Sequence, residues 1–136
     1  MQTRQGSRVV VSLRVISTID ESMKDVISLA NGNRFEARAY DISIGGIGLL
    51  MKYFLPKGLL LEMEIEGAPF GLQERIIAKG EVSHTKSVGA HKYKCGVKFT
   101  DMADKYIKAI SQFVSDYERR KNPRINLSSD DETKGK

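Results

Sequence analysis

Two sets of side chains in this sequence have the types and spacing to hold a ligand. Arg4 and Arg8 stand four apart in RQGSRVVVSL, residues 4–13. A planar guanidinium presents paired N–H donors that match phosphate oxygens bidentately, and the same fork fits the O6/N7 edge of guanine. The second set lies in AYDISIGGIGL, residues 39–49, where Asp41 and Ser43 precede Gly45 and Gly46. If both remain in strand geometry, they point to one face. The glycines let the backbone turn sharply or a ligand approach closely. A carboxylate there would accept the ring N–H and amino group of a guanine. The local alternative is that Asp-x-Ser before Gly-Gly simply caps a turn through side-chain hydrogen bonds, and each arginine alone reads as a solvated charge. Two guanidinium forks opposite an Asp/Ser pair shift the balance towards a ligand carrying both phosphate and guanine.

A second arginine frame closes the chain. ERRKNPRINL, residues 118–127, holds Arg120 and Arg124, with Arg119 before them. Three readings stand: the start of a truncated second domain, a second clamp on the ligand, or a basic helix end favoured by the helix dipole. Residues 125–136, which follow Arg124, are too few for a second barrel, and the last reading is preferred.

Little else suggests chemistry. His84 and His91 lack metal-type spacing and read as surface or turn histidines, and no Ser/His/Asp or Cys/His arrangement is present, so no enzyme is expected. Cys95 is the single cysteine, which excludes a disulfide framework and argues against structural zinc; a reducing cytoplasm is the expected location. The formal net charge of +5 favours anionic partners without choosing among them. No apolar run approaches the roughly 20 residues that span a bilayer, and the N-terminus lacks the apolar core of a secretory signal.

These residues must be positioned by a mostly β scaffold. VVVSLRVIS (9–17) is rich in β-branched residues, and Asn31-Gly32-Asn33 is a hairpin signal. In LLLEMEIE, Leu61, Met63 and Ile65 alternate with Glu62, Glu64 and Glu66. In KYKCGVKF, Tyr93, Cys95, Val97 and Phe99 are expected inward, with Lys92, Lys94 and Lys98 outward. From Asp101 the period turns helical through Met102, Tyr106, Ile107, Ile110, Phe113, Val114 and Tyr117, with Asp101 or Asp104 as N-cap. Pro123 limits the helix to about Asn122. Six or seven short strands with one terminal helix predict a small antiparallel β-barrel, or alternatively an open sheet capped by the helix. The expected division is a barrel domain with its helix over 1–117 and a basic helix end with a disordered polar tail over 118–136.

RQGSRVVVSLRV followed by DISIGGIGL resembles the PilZ domain, a bacterial receptor for cyclic di-GMP, whose pattern is R-x-x-x-R, a first strand, then (D/N)-x-S-x-x-G. The matching residues are Arg4, Arg8, Asp41, Ser43 and Gly46, and the likeness continues through GEVSH (80–84) and YKCGVKFTDM (93–102). It implies a mainly β, six-stranded antiparallel barrel with a C-terminal α-helix. It implies that Arg4 and Arg8 contact phosphates and guanine Hoogsteen edges, that Asp41 and Ser43 hold a guanine, and that Gly46 leaves room for it. It also implies an arginine arm that orders on binding and signals to a separate effector protein. The family often carries a basic residue before the first arginine; Thr3 stands there, which implies lower affinity or one bound ligand rather than a stacked pair.

A degenerate module that binds protein instead of nucleotide is the alternative. A nucleic-acid barrel is disfavoured, because its base-stacking aromatics fall on inward or helical positions here and Glu62, Glu64 and Glu66 repel a phosphate backbone. The terminal helix offers a face for a homodimer. Which output is controlled is not written in the sequence.

Overall fold

The computed structural model describes residues 7–23 and 33–121. Arg4, Arg124, Asn31 and Gly32 and the polar tail lie outside them. Six strands form the wall: β1 (Val9–Ile19), β2 (Arg34–Ile42), β3 (Gly46–Met51), β4 (Leu60–Ile65), β5 (Ile76–Gly89) and β6 (Lys92–Met102). They close in the order β1-β2-β3-β6-β5-β4, every pair antiparallel, with β4 returning to β1. Closure removes the unpaired edges that an open sheet would expose.

Alternation builds the core. Leu61, Met63 and Ile65 of β4 are buried while their glutamate neighbours face outward, and β1 buries Val9, Leu13, Val15 and Ile19. In β6 the inward set is narrower than expected: Cys95 and Val97 are buried, whereas Tyr93 and Phe99 are only partly covered. The polar stretch SVGAH (87–91), whose glycine would suit a loop, is mostly strand. β5 runs on to Gly89, and the reversal falls at Ala90-His91, where His91 takes a left-handed φ of 53°.

Helix α1 (Asp104–Lys121) starts later than its sequence suggests. Asp101 and Met102 still belong to β6, and the Ala103 carbonyl accepts the first helical N–H groups, from Tyr106 (3.0 Å) and Ile107 (3.1 Å). Apolar Met102 fits the end of a strand as well as the start of a helical stripe, so its periodicity is ambiguous. Tyr106, Ile110 and Val114 are buried and Phe113 packs on Phe70 with centroids 4.7 Å apart, but Ile107 is 39% exposed. Glu74 fixes the first turn, accepting from Lys105 Nζ at 2.6 Å and Tyr106 Oη at 3.1 Å. These bonds hold the Glu74 carboxyl below its usual range, Lys105 contributing most.

The barrel therefore has two distinct ends. One collects the start of β1, the β2–β3 turn, the β4–β5 loop, the end of β6 and α1. The other collects the loop between β3 and β4 and the β5–β6 hairpin.

Candidate functional site

In β2, Phe35, Ala37 and Ala39 point inward, so unbroken alternation would bury Asp41 as well. It does not. Pairing runs Ala39 to Leu49 and then Asp41 to Gly48, which leaves Tyr40 as an extra residue, and β1 slips by one at the same level between Val10 and Leu13. This bulge reverses the phase, so Ile42 takes the core position and Asp41 faces out.

Asp41 then meets the arginine frame. Arg8 Nη1 lies 3.2 Å from Asp41 Oδ1, with the two side chains 47% and 21% exposed. Residues 33 apart in sequence are thus joined at the mouth of the β2–β3 turn.

Ser43 is placed differently from the expectation that it would share a face with Asp41. It follows the end of β2 and is 3% exposed. Its Oγ accepts the Gly45 and Gly46 N–H groups, each at 3.2 Å, and lies 3.4 Å from the Gly46 carbonyl to which it donates. This is the local turn-capping role. The Ser43 N–H also donates to the Gly46 carbonyl, and the Gly45 carbonyl accepts from Phe99 N–H at 3.0 Å, which pins the turn to β6. Gly46 has a packing reason to be glycine, since a Cβ there would stand 2.5 Å from the Val97 carbonyl oxygen.

The glycine beneath Asp41 is Gly48, which the motif reading passed over although it stands in the same GGIG run. An added Cβ would fall 2.5 Å from Tyr40 Cζ and 2.6 Å from Asp41 Oδ1. Gly48 pairs with Gly96 of β6, and Gly96 with His84 of β5, whose ring lies over it. One row across four strands therefore reads Asp41, Gly48, Gly96, His84. With strands about 4.8 Å apart, it is a shelf roughly 14 Å across whose middle has no side chains of its own. Lys94 Nζ sits 4.8 Å from the Tyr40 ring centroid, an orientation stabilised by the ring's negative face. Burial, and then the Asp41 charge, raise the Tyr40 phenol above its ordinary value, with Arg8 opposing.

Arg120 lies exposed on the last turn of α1, beside an Arg119–Asp116 pair at 2.6 Å. It is 16 residues beyond Asp104, or about 24 Å along the helix axis. Among the described residues no group of three or more metal-ligating side chains forms, and no helix is long and apolar enough to cross a membrane. His84 and His91 are both exposed.

Comparison with known proteins shows the family and the fold. The PilZ domain model matches residues 2–116. An uncharacterized protein of Aquifex aeolicus (strain VF5) is 38% identical over 77 residues, covering 54% of this chain and 34% of that protein. Among solved structures, the Bacillus subtilis inhibitor of motility MotI/DgrA superposes with a TM-score of 0.70 at 19% identity, over 89% of this chain and 54% of that one. The PilZ domain of Escherichia coli YcgR with c-di-GMP gives 0.59 at 14% identity, over 92% and 98%. The K. pneumonia MrkH–c-di-GMP complex gives 0.63 at 17%, over 91% and 56%. At these identities the structures share the fold. The chain spans about a third of the curated relative's length and about half of MotI/DgrA.

Proposed function

The chain belongs to the PilZ domain family, and from that premise we propose that it is a receptor for cyclic di-GMP. The observation that carries the reading is the 3.2 Å contact between Arg8 and Asp41, which joins the two halves of the family pattern on one outward face. Two of the structures sharing its fold hold the same nucleotide.

In this reading Arg8, together with Arg4, grips the phosphates and guanine Hoogsteen edges, while Asp41 accepts from the N1–H and amino group of one guanine. Ligand entry exchanges the Arg8–Asp41 ion pair for two charge-assisted contacts, each stronger than a neutral hydrogen bond. Ser43 and Gly46 act through the turn: the hydroxyl holds the two glycine amides, and the missing side chain lets β3 sit against β6. The Tyr40 and His84 rings cover Gly48 and Gly96, so a flat base reaches this shelf by stacking on those rings or swinging them aside.

Because Arg8 leaves Asp41 for the ligand, the segment preceding β1 changes its hold on the barrel. A separate effector protein that contacts this segment would read the change, the arm ordering on binding in a disorder-to-order switch of the kind used by other signalling modules. Titration calorimetry of the full chain with cyclic di-GMP tests the proposal, with GMP as the comparison ligand.

A further inference from the structure

We propose that the end of the barrel opposite Arg8 and Asp41 docks on an anionic lipid surface. The inference stands apart from nucleotide binding and begins with charge. Residues 47–61 and 82–97 contain Lys52, Lys57, Lys86, Lys92 and Lys94, and neither stretch holds an aspartate, a glutamate or an arginine. The fold brings the two stretches together. Met51 pairs with Tyr93, Leu50 with Lys94, and the Thr85 hydroxyl donates to the Leu55 carbonyl at 2.5 Å.

The β5–β6 ribbon overruns the barrel. β4 stops pairing at Leu60–Glu81 and β3 at Met51–Tyr93, while β5 and β6 continue to Gly89–Lys92. On this ribbon Lys86 and Lys94 are direct cross-strand partners, an arrangement of like charges that destabilises a sheet. Among the described residues, none of these five lysines is in an ion pair, whereas Arg8, Arg14, Arg34, Arg75 and Arg119 each are. The counter-charge that would relieve the ribbon is therefore sought outside the chain.

Apolar groups stand among the lysines. Phe54 is 55% exposed, with its ring edge-on to Tyr93 at 6.0 Å, and Val88 near the hairpin tip is 39% exposed. An end that carries an exposed aromatic side chain in its β3–β4 loop and an exposed aliphatic one near its hairpin tip, together with lysines, suits a headgroup layer. Apolar groups enter it, and long lysine stems keep their charges at the phosphates. The choice of cation separates the candidate partners. Protein interfaces deplete lysine and enrich arginine, and base readers favour the arginine fork, yet the β3–β4 loop and the β5–β6 ribbon hold no arginine, and Arg34, which opens β2 at the same end, is paired with Glu64.

The test is co-sedimentation of the full chain with phosphatidylcholine vesicles containing about 30% phosphatidylglycerol, at about 0.1 M salt where the Debye length is near 10 Å. The protein is expected to pellet with these vesicles, to stay soluble with pure phosphatidylcholine, and to be released by about 0.5 M salt. K86E/K92E should lower partitioning at least about twentyfold, since each lysine near such a surface is worth about fivefold. F54S should lower it severalfold at any salt. K79E/K108E makes the same net-charge change elsewhere and should bind as the wild type. Unchanged melting temperatures establish that the variants fold. Absence of pelleting by the wild type, as an acidic protein partner would produce, overturns the proposal. So does equal loss in K79E/K108E, which would make the attraction one of net charge alone.

Discussion

Arg8 Nη1 stands 3.2 Å from Asp41 Oδ1 across the mouth of the β2–β3 turn, a contact between a residue preceding the first strand and one at the far end of the second. Exposed ion pairs of this kind contribute only about 0.2–1 kcal/mol to stability. Arg8→Ala and Asp41→Ala should therefore shift the melting temperature by less than about 4 °C. A loss of charge-assisted contacts worth about 1.5–3 kcal/mol should lower nucleotide affinity roughly ten- to a hundredfold. Calorimetry and thermal melting on the same samples separate the two effects, and a large drop in melting temperature would mark the pair as structural.

Gly46 and Gly48 should answer differently to the same substitution. At Gly46 a new Cβ meets the Val97 backbone oxygen at 2.5 Å, and backbone cannot step aside, so Gly46→Ala should cost about 1–3 kcal/mol in a urea titration. At Gly48 the obstacles are the Tyr40 ring and the Asp41 carboxylate, which can swing away. Gly48→Ala should stay close to wild type in stability while displacing Asp41 and weakening nucleotide binding. Equal destabilisation by the two substitutions would remove the distinction.

Cys95 is fully buried, and burial pushes its thiol up to about 11. Tyr40 is also raised, first by burial and then by Asp41. Both groups are acids whose protonated form the fold favours. Their contribution is present below the unfolded values, near 9 for the thiol and 10 for the phenol, and is lost as pH rises through the folded ones. The urea midpoint should fall between pH 9 and 11, and Cys95→Ala should flatten that fall. Thiol labelling at pH 8 should proceed only as fast as the barrel opens; rapid labelling of the native protein would contradict the burial.

The C-terminal arginine frame should be silent. Arg120 is exposed at the end of α1, and Arg120→Ala/Arg124→Ala is expected to change nucleotide affinity by less than about twofold, within the range of ordinary surface substitutions. A tenfold loss in calorimetry would instead assign the second frame to the site.

The sequence displays the scaffold more openly than the site. Leu61, Met63 and Ile65 announce β4 because a half-buried strand repeats every two residues, and closure of the barrel follows from six such strands lacking free edges. The outward turn of Asp41 could not be read in the same way. It depends on a one-residue slip at Tyr40, and a bulge is decided by pairing with two neighbouring strands rather than by the residues of β2 alone. The hydrogen bonds of Ser43 were visible as a turn-capping pattern, but only the structure shows how completely the hydroxyl is engaged. Gly48 carried a signal, the third glycine of GGIG, whereas Gly96 and His84 become its row-mates only through strand order.

The most direct test is calorimetric titration of cyclic di-GMP into the wild-type chain and into Arg8→Ala and Asp41→Ala. The account predicts saturable heat with the wild type at tens of micromolar protein, no heat with GMP, and affinity weakened roughly ten- to a hundredfold in each variant. No heat from the wild type, with the barrel intact by thermal melting, would contradict the receptor reading and leave a protein-binding adaptor in its place.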